Sequence, residues 1–361
     1  MKVAGIFTNK LDYIISAKGL SSVQTINLGG VEQTILLQGE NPNNPVLLMI
    51  HGGPTMPLPG VSSKGRDYTI ITNTKELVKH YVVVFWDQRG TGRSYHKNIA
   101  QESLNFSQFV SDANELTDYL RQRFNQEKIF LSGHSWGSTI SLQLAATYPE
   151  KFYSYVGLSQ IVSWTENDKL ALNWIKEEAK RRGNNKALKE LESIGEPPFV
   201  ESFQQWGLLR KWQRKFNTLI YTDKDVRHPG LLGVMKPMFQ SEDYTLMDIV
   251  NTYYHGFKLI YTQAFIEELA MVNFIDTVKE FVIPVTFIHG KKDFHVHGCL
   301  VEDYIKHLNS TKGKTFIWAE KSAHLFHPDD TRIIEQYFIQ EIKHHNDGAG
   351  SIKEYQSKGI V

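Results

Sequence analysis

The sequence predicts an α/β fold, in which a mostly parallel central sheet carries helices on both faces and a helical cap is inserted between its strands. Three observations predict it. Short runs of consecutive apolar residues, such as residues 46–50 and 284–289, have the length and continuity of strands buried on both faces. Amphipathic helical patterns separate several of these runs. Between residues 161 and 281 the alternation stops, and helical periods rich in tryptophan replace it.

The length of 361 residues suits one large α/β domain that carries an insertion. The 40 Lys+Arg residues against 39 Asp+Glu residues give a net charge of +1. A chain with so little net charge has no overall positive potential to attract nucleic acid or an anionic membrane. A single cysteine excludes an internal disulfide framework and fits a reducing compartment. The predicted units are a core built from residues 1–160 and 282–344, a cap over residues 161–281 and a flexible tail over residues 345–361.

The first 20 residues contain no apolar run of the length that a secretory signal needs, about 7–15 residues. No window of the sequence approaches the roughly 20 apolar residues of a membrane span. We therefore expect a cytoplasmic protein, and association with a surface without a signal peptide is the weaker alternative.

An opening β-hairpin is predicted by residues 23–28 and 31–38, which alternate apolar and polar side chains around a Gly-Gly pair. After the Asn- and Pro-rich residues 41–45, the apolar run of residues 46–50 predicts a buried strand. The next predicted elements are a helix over residues 69–79, a strand over 81–86, an amphipathic helix over 107–124 and a strand over 153–158.

The segment DQRGTGRS, residues 87–94, follows the strand over residues 81–86. Its two glycines suit a tight loop. Asp87, Arg89 and Arg93 can bridge the ends of neighbouring strands. We interpret this loop as scaffolding beside a functional site.

The sheet pattern returns after the cap. Residues 284–289 (PVTFIH) predict a buried strand, and residues 298–308 predict a helix. A last strand is predicted over residues 314–318, and an amphipathic helix over residues 331–344.

Residues 128–149 combine a strand, a tight turn and a helix around Ser135. Three apolar residues of strand character lead into a G-x-S-x-G pattern, in which Gly133 and Gly137 flank the serine. Apolar residues at helical spacing then continue until Tyr148-Pro149. This context is typical of a nucleophile elbow, which holds a serine hydroxyl above a sheet edge at a helix N-terminus.

The segment HGGP, residues 51–54, follows the buried strand over residues 46–50. Glycines at this position let a backbone N–H approach a developing negative charge. We expect an oxyanion hole formed by the N–H of Trp136 and by that of Gly52 or Gly53. His51 is interpreted as a hydrogen-bonded residue of the loop and not as a base.

Ser135, Asp293 and His324 occur in the order nucleophile, acid, base, and each comes just after a predicted strand. Since the carboxyl ends of parallel strands meet at one sheet edge, the three side chains can converge there. An imidazole can take the serine proton near neutral pH, and a carboxylate can hold the imidazole in the required tautomer. His327 is the alternative base, but His324 comes sooner after the last strand.

His289, His295 and His297 cluster with Asp293 and are of metal-ligand types. They lie at a strand end and in a loop, without the helical spacing of known zinc sites. We therefore expect neither a catalytic metal nor another cofactor.

Five motifs occur in order along the chain: HGGP at 51–54, DQRGTGRS at 87–94, GHSWGS at 133–138, HGKKD at 289–293 and SAH at 322–324. Together they resemble the proline iminopeptidase-like branch of the α/β-hydrolase superfamily. The resemblance implies a peptidase that removes an N-terminal residue, often proline, from short peptides. Two features depart from the family pattern: Thr55 follows HGGP, and the cap segment WGLLRKWQ at residues 206–213 lacks the expected glutamate. Glu177, Glu178, Glu267 and Glu268 are the remaining candidates to hold a substrate amine.

The sequence thus predicts a serine hydrolase that acts through an acyl-enzyme on a small molecule or short peptide, most plausibly as an aminopeptidase. A carboxylesterase or lactonase with the same triad is the second hypothesis. A non-catalytic receptor of the same fold, which binds its ligand beneath the cap, is a third and more remote one. The sequence leaves the oligomeric state open.

Overall fold

A computed structural model of the chain describes residues 11–346. An eight-stranded sheet has the order β1-β2-β4-β3-β5-β6-β8-β10, and β7 and β9 form a separate two-stranded pair. The strands are β1 (Leu20–Leu28), β2 (Val31–Gly39), β3 (Val46–Ile50), β4 (Val82–Asp87), β5 (Ile129–His134), β6 (Phe152–Leu158), β7 (Glu280–Phe281), β8 (Val285–Gly290), β9 (Asn309–Ser310) and β10 (Lys314–Ala319).

The helices lie between these strands and within the cap. A π-helical turn over Asn251–Gly256 joins α8 to α9. The α-helices are α1 (Leu77–His80), α2 (Phe106–Arg123), α3 (Trp136–Thr147), α4 (Trp164–Arg181), α5 (Asn185–Glu192), α6 (Phe203–Lys215), α7 (Gly230–Gln240), α8 (Leu246–Val250), α9 (Phe257–Ile260), α10 (Gln263–Met271), α11 (Phe274–Thr277), α12 (Gly298–His307) and α13 (Pro328–Asn346).

The sheet begins with the predicted hairpin and then becomes parallel. β1 pairs antiparallel with β2 and β2 antiparallel with β4, whereas β4, β3, β5, β6, β8 and β10 pair in parallel. Gly29 and Gly30 form the two-residue hairpin loop with φ of 52° and 76°. Both values lie in the left-handed region that this tight turn requires and that glycine adopts without a steric cost. The predicted α/β class with a mostly parallel sheet is confirmed.

Helices cover both faces of the sheet, which explains why its strands are continuously apolar. In β4, Val84 and Trp86 face a core shared with α2, α3 and α12, and Val83 and Phe85 face a second core shared with α1 and α13. Alternate residues of a strand point to opposite faces, so both sets must be apolar. The carboxyl ends of the parallel strands are left to carry polar residues at one edge.

The cap, residues 161–281, contains helices α4 to α11 and its own apolar core. Leu172 and Ile175 of α4 pack there with Leu209 and Trp212 of α6, and all four are buried. Phe265 of α10 packs instead into the core between the sheet and α2 and α3, so these residues between β6 and β8 are packed on the sheet as well as on one another.

Two predicted elements differ from the structure. The helix expected over residues 69–79 is limited to Leu77–His80. The Thr69 hydroxyl donates to the carbonyl of Thr72 and accepts from the Thr72 N–H, and such side-chain bonds compete with helical ones. At the other end of the chain, α13 extends to Asn346, two residues into the segment predicted as a flexible tail, and the rest of that segment lies outside the described residues.

Within residues 11–346, none of the helices combines the length and the apolar character that crossing a membrane requires. Of the first 20 residues, for which a signal peptide was considered, residues 1–10 are outside the described part of the chain.

Candidate active site

Ser135 lies at the apex of the turn between β5 and α3. Its backbone has φ of 53° and ψ of −122°, a conformation that L-residues rarely adopt. A Cβ on Gly133 would collide with the Gly137 carbonyl, and a Cβ on Gly137 would collide with the carbonyls of Ile50 and His51. The two glycines therefore permit the close packing of strand and helix that holds the strained serine.

Ser135, His324 and Asp293 form one chain of hydrogen bonds. The Ser135 hydroxyl lies 3.0 Å from His324 Nε2, and His324 Nδ1 lies 2.8 Å from Asp293 Oδ2. Because a carboxylate only accepts, Nδ1 carries the proton and Nε2 is left to accept from the serine. Asp293 follows β8 and His324 follows β10, so neighbouring parallel strands deliver the two side chains. A Cβ at Gly290 would collide with the Ala323 carbonyl, so this glycine lets the two loops meet.

Asp293 is buried and held as a carboxylate. Its Oδ1 accepts from the N–H groups of His295 (2.9 Å) and Val296 (2.8 Å). Burial opposes the charge, but the charges and hydrogen bonds of His324 and His289 outweigh it and hold the pKa of Asp293 well below its usual range. The group can therefore orient and stabilise an imidazolium without taking up the proton itself.

Two further imidazole rings pack against His324. The ring centroids of His134 and His295 lie 4.9 Å and 4.8 Å from that of His324. Burial, together with the charge of His324, lowers the pKa of His134 to about 3 and that of His295 well below its usual range. Both neighbours are therefore neutral at physiological pH, and their rings cover part of the buried His324 ring.

Of the predicted oxyanion donors, Gly52 and Trp136 lie beside the nucleophile. A Cβ on Gly52 would lie 3.0 Å from Ser135 Cβ, which shows how closely this backbone approaches the serine. Within residues 11–346, no acceptor pairs with the N–H groups of Gly52, Gly53 or Trp136. Trp136 is the first residue of α3, where N–H groups have no partner inside the helix. These donors are available to an oxygen placed beside Ser135.

The two other histidines considered as bases have different partners. His51 Nε2 accepts from the Gln88 N–H at 3.3 Å, and burial lowers the pKa of His51 to about 4, which agrees with its expected structural position in the loop. His327 Nδ1 accepts from the Asp329 N–H at 3.1 Å, and its ring packs on Tyr221. Of these histidines, only His324 bonds to Ser135 in the described part of the chain.

The histidine cluster around Asp293 is held by protein hydrogen bonds. His289 Nε2 donates to the Val296 carbonyl at 2.9 Å, and the His297 N–H donates to Asn167 Oδ1 at 2.8 Å. Across the described residues, no group of three or more histidine, cysteine, aspartate or glutamate side chains is arranged to hold a metal ion.

Each of the four candidate glutamates is engaged away from the triad. Glu177 pairs with Lys180 on the cap surface, and Glu178 pairs with Arg181 and Arg182. Glu267 Oε1 accepts from Gln263, and Glu268 Oε2 accepts from the N–H of Phe106 at the start of α2. Since these are helix-surface and helix-capping contacts, the structure does not bring the four residues to Ser135.

The loop after β4 contributes contacts to the site that the sequence motif alone did not specify. Gln88 Oε1 accepts from Trp136 Nε1 at 2.9 Å, while Gln88 Nε2 donates to the His51 carbonyl at 2.9 Å. One side chain therefore ties the start of α3 to the HGGP loop, on the two sides of the expected oxyanion hole. Asp87 in the same loop accepts from the hydroxyl of Tyr244 in the cap, and burial raises the pKa of Asp87 to about 6. In the sequence, the motif DQRG marked this loop, but it predicted only scaffolding and not the contacts of Gln88 with Trp136 and His51.

Comparison with known proteins identifies the family of the chain. A family model described as the alpha/beta hydrolase fold matches residues 45–331. The chain belongs to the α/β-hydrolase family. It is 28% identical over 328 residues to the protein named probable aminopeptidase YbaC of Bacillus subtilis strain 168, a match that covers 91% of this chain and 98% of that protein. The proline iminopeptidase of Heyndrickxia coagulans is 26% identical over 133 residues, which cover 36% of this chain and 41% of that protein.

Solved structures share the α/β-hydrolase fold at low identity. The proline iminopeptidase of Mycobacterium smegmatis matches with a TM-score of 0.61 and 16% identity over 91% of this chain and 100% of that one. An epoxide hydrolase of Bacillus megaterium matches with a TM-score of 0.52 and 18% identity over 89% and 100% of the two chains. The resemblance of this α/β-hydrolase to the proline iminopeptidase-like branch is confirmed by the relatives.

Proposed function

We propose that this α/β-hydrolase is a serine hydrolase in which Ser135 is the nucleophile, His324 the general base and acid, and Asp293 the residue that orients the imidazole. The observation that carries the proposal is the chain of hydrogen bonds from Ser135 Oγ through His324 to Asp293, at 3.0 and 2.8 Å. A serine hydroxyl is a weak nucleophile until a base takes its proton, and this arrangement provides that base.

The reaction proceeds in two halves. Ser135 Oγ attacks the carbonyl carbon of the substrate while its proton passes to His324 Nε2, and the resulting oxyanion accepts from Trp136 N–H and from Gly52 or Gly53 N–H. His324 then gives the proton to the leaving group, and an acyl-enzyme remains on Ser135. Water, deprotonated by the same imidazole, attacks the acyl group, and His324 returns the proton to Ser135 Oγ as the acid leaves. Each oxyanion donor contributes about 3–4 kcal/mol of transition-state stabilisation in enzymes of this type.

The substrate we propose is a short peptide with a free N-terminus, cleaved after its first residue. Support comes from the relative named probable aminopeptidase, whose match extends over 91% of this chain and so includes the cap. The proline iminopeptidase of Heyndrickxia coagulans supports the same class over a shorter segment. Ser135, His324 and Asp293 are 9%, 4% and 5% exposed, so a substrate must reach them beneath the cap, which favours small molecules.

A carboxylesterase or lactonase activity is the second candidate, and one observation favours it. An aminopeptidase needs a carboxylate to hold the substrate amine, yet each of the four candidate glutamates is engaged elsewhere. The buried carboxylate of Asp168 in the cap is also already paired, with Arg210 at 2.6 Å, and so is not free to bind an amine. An ester substrate would not require such a group.

Hydrolysis of aminoacyl-arylamides, including the prolyl compound, should be measured beside hydrolysis of short acyl esters. The proposal predicts release of arylamine from the aminoacyl compounds, and Ser135→Ala should abolish it while leaving the circular dichroism spectrum unchanged. Ester turnover without arylamide turnover would reject the aminopeptidase in favour of the esterase. Absence of both, in folded protein, would support the ligand-binding receptor.

A further inference from the structure

The loop that carries the triad acid, residues 293–297, is held from two sides. From the core, the Gly290 carbonyl accepts from the Asp293 N–H at 3.1 Å, and His289 Nε2 donates to the Val296 carbonyl at 2.9 Å. His324 of the core also bonds to Asp293 Oδ2, and side chains of the cap contact the loop from the other side. We call residues 293–297 the acid loop.

Two amide side chains from different cap helices converge on the acid loop. Asn167 Nδ2 of α4 donates to the His295 carbonyl at 3.1 Å, and Gln213 Nε2 of α6 donates to the same oxygen at 3.3 Å. Asn167 Oδ1 also accepts from the His297 N–H at 2.8 Å, so this one side chain satisfies two backbone groups of the loop. The N–H of His295 in turn donates to Asp293 Oδ1 at 2.9 Å. His295 therefore links the two units: its carbonyl accepts from the cap amides, and its N–H donates to the carboxylate of Asp293.

The two cap amides are fixed in orientation by their surroundings. Gln213 is fully buried, and its Oε1 accepts from Arg210 Nη1 at 2.8 Å, so its NH₂ group must face the loop. Arg210 is itself held by Asp168 at 2.6 Å and lies over the ring of Trp206. A continuous chain of polar contacts therefore runs from the Asp168–Arg210 pair of the cap to the acid. Buried networks in which every member is satisfied specify one geometry.

We infer that Asn167 and Gln213 are positioning residues for Asp293, so that the docked cap completes the triad as well as covering it. The inference rests on the proposed function. A serine hydrolase depends on the relative placement of its acid and base, and a displacement of about 1 Å can cost about 100-fold in rate. Removing both amides frees the His295 carbonyl and the His297 N–H from the cap, and the contacts from the cap to the acid loop that remain are the stacking of Trp174 on Phe294 and the contact of the Thr218 hydroxyl with His295 Nδ1.

The test compares labelling by a fluorophosphonate probe in the full-length protein, the double variant Asn167→Ala/Gln213→Ala and a matched control. Tyr304→Phe is the control, since it removes one buried hydrogen bond between core and cap, to the Val278 carbonyl, without touching the acid loop. We expect the limiting labelling rate of the double variant to fall by about 10- to 100-fold while the half-saturating probe concentration changes little. The control should label at the wild-type rate.

Gln213→Met decides the matter if the double variant does not fold, because it keeps the length of the side chain and removes only the polar contacts. A folded Gln213→Met protein with a lowered limiting rate supports the inference. Wild-type labelling rates in the folded variants would overturn it and leave the serine hydrolase proposal intact. A wild-type protein that is not labelled at all would overturn the serine hydrolase proposal itself.

Discussion

Replacing Gly137 by alanine tests whether the close approach of β3 and α3 holds the catalytic turn. A Cβ at this position would lie within 3.0 Å of the carbonyl oxygens of Ile50 and His51, which are backbone atoms that cannot rotate away. The helix and the strand must therefore separate. Overpacking of this kind costs about 1–3 kcal/mol, and two backbone clashes place this site at the upper end. Alanine recovers about 1 kcal/mol through its higher helix propensity.

The expected net loss for Gly137→Ala is thus about 2 kcal/mol of unfolding free energy, by the overpacking and propensity values above. At an unfolding entropy of about 2.1 cal/mol/K per residue, this lowers the Tm by about 3 °C. Since separation also moves Trp136 N–H away from Gly52, arylamide or ester turnover should fall by about 100-fold, the typical loss for one oxyanion donor. Thermal unfolding and steady-state turnover measure the two effects.

Gly207→Ala is the matched control, because Gly207 lies within α6 and no heavy atom lies within 4 Å of an added Cβ. It gains helix propensity alone, so its unfolding free energy should rise by up to about 1 kcal/mol with unchanged turnover. If Gly137→Ala is as stable and as active as Gly207→Ala, the argument from strand–helix contact is wrong.

Two further predictions concern buried charges. Arg89→Met removes one partner of the Arg89–Asp112 ion pair, whose side chains are 1% and 0% exposed. It leaves a buried carboxylate unpaired and should lower the free energy of unfolding, measured in urea, by about 3–5 kcal/mol. A loss below about 1 kcal/mol would contradict the interpretation of this loop as scaffolding. Burial lowers the pKa of His51 to about 4 in the folded protein. Between pH 6.5 and pH 4 the imidazole is therefore protonated in the unfolded chain but neutral in the folded one, so the free energy of unfolding decreases as the pH falls. His51→Gln should flatten that dependence by about 1.4 kcal/mol per pH unit in unfolding measurements between these limits, and an unchanged slope would show that His51 is not held neutral.

The core of the fold could be predicted from the sequence because its pattern is local. Strands buried on both faces need every residue to be apolar, as in Val46–Ile50, and that requirement is visible without coordinates. The hairpin was equally accessible, since a Gly-Gly pair between two alternating segments is a typical two-residue hairpin loop. The helix predicted over residues 69–76 does not form, because threonine side chains there make hydrogen bonds to the backbone that compete with those of a helix.

The candidate site divides in a similar way. Ser135, Asp293 and His324 each follow a strand of the parallel sheet, so sheet topology could bring them to one edge before any distance was known. The contacts of Asn167 and Gln213 could not be found by this reasoning. Each is an amide on a cap helix, and its partner is a backbone carbonyl of residue 295, more than eighty residues away in the chain. Only the packing of the cap on the core determines such pairs.

The central claim is that Ser135 is a nucleophile activated by His324. The most direct measurement is mass spectrometry of the protein after reaction with a fluorophosphonate, with the adduct located by peptide mapping. We predict one adduct per chain, on Ser135, which is absent from Ser135→Ala and formed far more slowly in His324→Ala. An adduct on another residue, or none on folded wild-type protein, would contradict the claim.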